Sequence, residues 1–141
     1  MRVLLTSFAI AGMVLASAGC RPSAVPNKYY NGPTISAFSG QVVQDGKPVT
    51  FPEDEEVLIQ CTLTEGEGIG KSFGVPIKPD GTFSIGWMPL GKMTLRLERA
   101  PKDPTKTKGG PPNRYSIPGG LTTEQGKTTG YIIELGKGWK P

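Results

Sequence analysis

The feature that most constrains this chain is an alternation of apolar and polar residues, which recurs in short runs between turn residues. The clearest run is KMTLRLE, where Met93, Leu95 and Leu97 alternate with polar or charged residues. Because successive side chains of a β-strand point to opposite faces, this period of two predicts a strand with one buried face. No stretch after Cys20 combines a helical period with capping residues, so the pattern predicts an all-β protein.

Six further runs predict strands, at 38–44, 57–64, 71–78, 82–87, 115–118 and 130–135. The run at 71–78 contains Pro76, which lacks an N–H group and indicates an edge strand or a bulge. Asp45-Gly46 and Pro79-Asp80-Gly81 have the residue types of tight turns. Seven strands with closely spaced turns predict an antiparallel sandwich of about seven strands. Its expected inter-sheet core is Ile85, Trp87, Leu95, Leu97, Ile133 and Leu135.

The composition excludes several classes of function. The chain has no histidine, which removes Ser-His-Asp and Cys-His nucleophile systems and the common zinc sites. Its formal net charge of +4 is too small to indicate nucleic-acid binding. Neither GEGIGKS (66–72) nor the GKT at 126–128 has the glycine spacing of a phosphate-binding loop. No catalytic residue, metal or cofactor is therefore predicted.

The first 19 residues have the organisation of a secretory signal. Arg2 is followed by an uncharged, largely apolar run over 3–18, shorter than the roughly 20 residues that span a bilayer. One interpretation is cleavage after Ala18. The other is acylation of Cys20, because 17–20 resembles a bacterial lipobox, although a serine stands where leucine is commonest.

A Pro-rich, non-periodic segment at 20–37 suits a tether between an acyl anchor and a folded domain at 38–141, and so favours lipidation of Cys20. Arg21 is not the aspartate that marks inner-membrane retention in many lipoproteins, so the resemblance implies the outer membrane rather than the inner one. Acylation would leave Cys61 as the remaining thiol, whereas cleavage after Ala18 would allow a Cys20–Cys61 disulfide. In either case Cys61 shares the alternate positions of the apolar residues Val57, Ile59 and Leu63, which predicts that it lies in the core.

Two sets of residues are candidate binding sites. The segment 101–114 is rich in proline and predicted to lack regular structure. Its cations Lys102, Lys106, Lys108 and Arg114 could hold an anionic polysaccharide, lipid headgroups or an acidic envelope protein, or could belong to a hydrated loop. The aromatic residues outside the clearest strands could stack on sugars, although Trp139 could instead pack back on the sheet. These residues are Tyr29, Tyr30, Tyr115 and Trp139. The acidic run at 53–56 has no calcium-loop spacing and is interpreted as a solvated charge run.

Three stretches together carry a family resemblance: SGQVVQDGKPV (39–49), PDGTFSIGWMPLGKMTLRLERA (79–100) and YSIPGGLTTEQGKTTGYIIELGKGW (115–139). They resemble the carboxypeptidase-regulatory-like domains, and the last stretch is similar to small envelope lipoproteins abundant in planctomycetes. Leu90 and Met93 depart from the pattern, which has proline and an aromatic residue there. The resemblance implies a transthyretin-like or immunoglobulin-like sandwich, and its turn motifs say little about activity.

Three functions follow as hypotheses. The first is a non-catalytic, lipid-anchored envelope module that is structural, adhesive, or binds carbohydrate or a partner. The second is an accessory subunit of an envelope transport or secretion complex. The third is a glycosidase that uses carboxylates alone, which requires two carboxylates facing each other across a cleft.

Overall fold

A computed structural model describes residues 30–106 and 112–141 of the chain. The signal segment, Cys20, Tyr29 and Lys108 lie outside these residues. The described part is all-β, as predicted, and contains one 3₁₀ turn at Pro104–Lys106. Its longer strands are β2 (Phe38–Gln44), β4 (Glu55–Leu63), β5 (Ser72–Ile77), β6 (Thr82–Ile85), β8 (Gly91–Pro101), β9 (Asn113–Thr123) and β10 (Tyr131–Glu134). Two-residue strands are β1 (Thr34–Ile35), β3 (Lys47–Pro48) and β7 (Met88–Pro89).

These strands form two four-stranded sheets and the short pair β1–β7. One sheet has the longer strands and is called the larger sheet. Its order is β5-β4-β8-β9, with every neighbouring pair antiparallel. In the smaller sheet, β2 pairs with β10 on one edge and with β6 and β3 on the other. The β2–β10 pair is parallel, so the expectation of a uniformly antiparallel sandwich is wrong at this one pairing.

The core lies between the two sheets. Leu95 and Leu97 of β8 are buried, and so are Ile133 and Leu135 in and just after β10, as the alternation predicts. Tyr131 joins them, and its ring lies 4.7 Å from that of Phe38. The two other predicted core residues are partly buried and pack against this cluster: Ile85 and Trp87. Trp87 is not in a strand, because β6 ends at Ile85.

The predicted strand at 115–118 is part of a longer one. β9 continues to Thr123, and its register with β8 shifts between Met93 and Leu95. Gly119 and Gly120 have φ of 83° and 60°, the left-handed conformation that glycine tolerates best. The two glycines therefore form a bulge within the strand instead of ending it.

Both predicted turns are confirmed. Asp45 and Gly46 have φ of 50° and 72°, as a two-residue hairpin loop between β2 and β3 requires. At the second turn, Asp80 Oδ1 accepts hydrogen bonds from the Thr82 backbone N–H at 2.9 Å and from its hydroxyl at 2.6 Å. These two bonds lower the pKa of Asp80, since they favour its charged form.

Two local predictions from the sequence are also tested here. Cys61 is completely buried on β4, which confirms the predicted core position. The glycine-rich stretch at 66–72 is a loop that leads into β5, with positive φ at Gly66, Gly68 and Gly70. Among the described residues, no helix is long and apolar enough to cross a membrane.

Candidate functional site

A cavity of about 220 Å³ lies between the inner face of the larger sheet and the C-terminal segment 136–141. We call it the tail cleft. It brings together three residues that the sequence analysis singled out in separate places, namely Arg114, Tyr115 and Trp139. The residues that line it are Leu97, Arg99, Asn113, Arg114, Tyr115, Gly138, Trp139 and Lys140.

The register of the larger sheet positions one side of the tail cleft. Leu97 of β8 is paired with Tyr115 of β9, and Arg99 is paired with Asn113. Since Leu97 points into the core, the alternation along both strands places Arg99, Asn113 and Tyr115 on the same inner face. They occupy the end of that face where β8 finishes and β9 begins.

Hydrogen bonds hold the C-terminal segment across this end of the sheet. The Tyr115 hydroxyl donates to the Leu135 carbonyl at 2.6 Å. Gln44 Nε2 donates to the carbonyls of Gly136 at 3.1 Å and Trp139 at 3.0 Å. The segment is thus tied to β2 by the Gln44 amide and held at its start by the Tyr115 hydroxyl of β9, although it contains no strand.

Trp139 is a core residue and not an exposed stacking surface. Its side chain is only 7% exposed and packs edge-on against Phe51, with ring centroids 5.9 Å apart. The Arg99 guanidinium lies 6.0 Å from the centroid of the Trp139 ring. Tyr115 is half-buried, and its hydroxyl is already bonded to Leu135. The burial of Trp139 therefore favours packing on the sheet over sugar stacking, and sugar binding by Tyr115 stays a prediction.

The charge of the tail cleft comes from Arg99 and Lys140, because Arg114 pairs with Glu98 on the outer face of the sheet. Arg99, only 13% exposed, forms a 2.7 Å ion pair from Nε to Glu55 Oε2. Glu98 Oε1 lies 3.2 Å from Arg114 Nε and 3.0 Å from Arg96 Nη2. Both Glu98 contacts have ion-pair distance without hydrogen-bond geometry, since this oxygen accepts no hydrogen bond from the described residues.

Lys140 is exposed and completes the set of cations in the tail cleft. Two cations, Arg99 and Lys140, stand against one carboxylate, that of Glu55, which pairs with Arg99. None of the described residues that line the tail cleft is acidic. The net charge of the cleft is therefore positive, although Glu55 already occupies one side of the Arg99 guanidinium.

The basic segment 101–114 is only in part the structureless loop that the sequence predicts. β8 extends to Pro101 and β9 begins at Asn113, so the connection between them is shorter. Lys102 donates from its backbone N–H to the Asp54 carbonyl at 2.8 Å and from Nζ to the Glu53 carbonyl at 2.6 Å.

Three of the four predicted cations lie in the described residues, and their grouping into one anion site stays a prediction. Lys102 is bound to the loop before β4, Lys106 ends the exposed 3₁₀ turn, and Arg114 pairs with Glu98 of β8. The acidic run is also not simply solvated, because Glu55 pairs with Arg99.

A second concavity, of about 390 Å³, lies where the edge strands β5 and β6 diverge. We call it the edge groove. It was missed in the sequence, where the alternation assigned Trp87 to the core. The available signal was Gly86, which precedes Trp87, because the missing side chain leaves the backbone there uncovered. The residues that line the edge groove are Ser72, Phe73, Gly74, Ile85, Gly86, Trp87 and Met88.

A scan against protein-family models finds no match for this chain, and a search of the curated proteins finds none either. The resemblance to carboxypeptidase-regulatory-like domains therefore stays a prediction beyond the all-β sandwich itself.

Proposed function

We propose that this protein is a non-catalytic module of the cell envelope that binds an acidic ligand, such as an anionic polysaccharide, in the tail cleft. One observation supports the proposal above the others. The tail cleft is lined by the cations Arg99 and Lys140, with no acidic residue among its described lining.

Burial makes this arrangement selective for charge. Arg99 is 13% exposed, so its guanidinium has lost most of its contact with water, and one carboxylate leaves several of its N–H donors available. An anion that enters the cleft can accept charge-assisted hydrogen bonds from these donors. Such bonds are stronger than neutral hydrogen bonds and compensate for the hydration that Arg99 has lost. A neutral ligand would gain none of this.

The segments before the domain support a location at a membrane surface. The apolar run at 3–18, the lipobox-like 17–20 and the Pro-rich tether together suit a chain held by acyl groups on Cys20. Arg21 favours the outer membrane over the inner one. An acidic envelope polymer would then lie within reach of a tethered domain.

Binding is tested by titrating the full-length protein with oligogalacturonate and, separately, with a neutral galactose oligomer of equal length. We expect shifts of the Asn113, Gly138 and Lys140 amide NMR signals with the acidic oligomer alone, and weaker binding as salt screens the charges. Lys140→Gln should weaken binding about three- to tenfold. Lys78→Gln removes one charge outside the cleft and is the matched control. Binding that is equal for both oligomers, or insensitive to Lys140→Gln, would contradict the proposal.

The anchor is tested separately by metabolic labelling of cells with a fatty-acid probe. The wild-type protein should be labelled and should fractionate with membranes, whereas Cys20→Ser should be unlabelled and released. If both proteins carry equal label, Cys20 is not the acylated residue.

A further inference from the structure

The edge groove is independent of the tail cleft. β5 residues Phe73 and Gly74 pair with the C-terminal half of β4, whereas Arg99 pairs with the N-terminal half. The two cavities therefore lie at opposite ends of β4 and share no lining residue. None of the described residues that line the edge groove is charged, so it does not suit the acidic ligand.

Two aromatic rings give the edge groove its shape. The rings of Phe73 and Trp87 are nearly perpendicular, at 84°, with centroids 5.6 Å apart. Tyr30 contacts both, at 5.5 Å from Phe73 and in a parallel arrangement 6.5 Å from Trp87. Tyr30 is only 6% exposed and does not line the groove, so it supports the two rings from the protein side. Rings that are held in this way lose little side-chain entropy when a ligand binds.

The opposite side of the edge groove is open backbone. Gly86 lines the groove, and a Cβ atom there would meet no heavy atom within 4 Å outside its two chain neighbours, so a side chain has room at this position. Gly86 and Gly74 are both exposed, and the Ser72 hydroxyl lies 2.7 Å from that of Thr62 at the same rim. The groove thus combines aromatic faces with peptide and hydroxyl groups, and its volume is within the range of about 300–1,000 Å³ that is typical of small-ligand sites.

We propose that the edge groove is a second binding site, which takes the ring of an uncharged sugar. A pyranose has a face of C–H groups that packs on the electron-rich face of an aromatic ring, and a rim of hydroxyls that hydrogen-bond with backbone groups. A charged ligand would lose its hydration there without a compensating partner. An added peptide strand is less suited to this edge, because Pro76 removes a donor from β5.

The test uses the full-length protein with cellohexaose and chitohexaose, two uncharged oligosaccharides. At least one of them should shift the Gly74 and Gly86 amide signals and the Trp87 indole N–H signal saturably, and leave Lys140 unmoved. Gly86→Leu fills the open space without removing a ring and should weaken binding about tenfold or more. Ser84→Leu adds the same side chain on β6 outside the groove and should change affinity less than about twofold.

Unfolding midpoints show whether both variants keep the fold. The proposal is overturned if neither oligosaccharide shifts these signals, or if Gly86→Leu binds like the wild type. It is also overturned if a neutral apolar peptide shifts the same signals and the sugars do not. Lys140→Gln, which tests the tail cleft, should leave sugar binding unchanged, so the two proposals can fail separately.

Discussion

Cys61 shows at the scale of one residue how the sandwich controls chemistry. Its side chain is completely buried between the sheets, and burial raises the pKa of the thiol to about 12, from 9.0. The cause is loss of hydration, which destabilises the thiolate and leaves the neutral thiol unaffected. Cys61 is therefore an apolar packing residue and not a nucleophile.

This pKa has a consequence for stability in alkali. Below about pH 9, Cys61 is protonated in both folded and unfolded chains; between about pH 9 and 12, the unfolded chain releases the proton and the folded one retains it. The free energy of unfolding should thus fall with pH more steeply for the wild type than for Cys61→Ala, by about 1 kcal/mol per pH unit. Urea unfolding at several pH values measures the difference. Parallel profiles would show that Cys61 titrates normally.

At the scale of one element, the bulge in β9 depends on two glycines with different surroundings. Both have positive φ, but a Cβ atom at Gly120 would lie 2.5 Å from the Met93 carbonyl oxygen, whereas one at Gly119 would meet nothing within 4 Å. The strand can pass β8 at this distance only because residue 120 has no side chain.

Alanine at these two positions separates backbone strain from steric contact. Gly119→Ala should cost about 1–2 kcal/mol, the penalty for a left-handed backbone. Gly120→Ala should cost roughly 1–3 kcal/mol more, because the Met93 carbonyl must also move. Denaturant unfolding gives both values. Equal losses would mean that the bulge relaxes without resistance from β8.

At the scale of the whole molecule, the C-terminal segment closes one end of the sandwich. Trp139 covers Phe51 and Arg99, and Gln44 binds two of the segment's carbonyls. The segment is therefore part of the folded domain as well as one side of the tail cleft.

Trp139→Ala should accordingly destabilise the protein by about 3–5 kcal/mol, as large-to-small changes in a core do. Lys140→Ala, at the adjacent exposed position, should stay within about 0.5 kcal/mol of the wild type. Thermal or urea unfolding compares them. A small loss for Trp139→Ala would show that the segment folds onto the sheet without stabilising it.

The strands and turns could be predicted from the sequence because their causes are local. The parity of Leu95, Leu97 and Cys61 follows from the period of two along each strand, and the Asp45-Gly46 turn follows from the φ that these residues tolerate. The predicted strand at 115–118 ends at Pro118, whereas β9 continues to Thr123. The pair Gly119-Gly120 suits a turn that ends a strand and also suits a bulge within one.

Pairing and sites depend on contacts between distant parts of the chain, and here the sequence alone was insufficient. Nothing in the run at 131–134 distinguishes parallel from antiparallel pairing with β2. Trp139 lies in a Gly-Lys segment without periodicity, and its burial comes from Phe51 and Arg99, which only the packed sheets bring to it. The sequence by itself determined a β-sandwich with known strand parity. The tertiary structure alone decided which cations share a cavity and which aromatic rings stay accessible, because both depend on how the two sheets and the C-terminal segment pack.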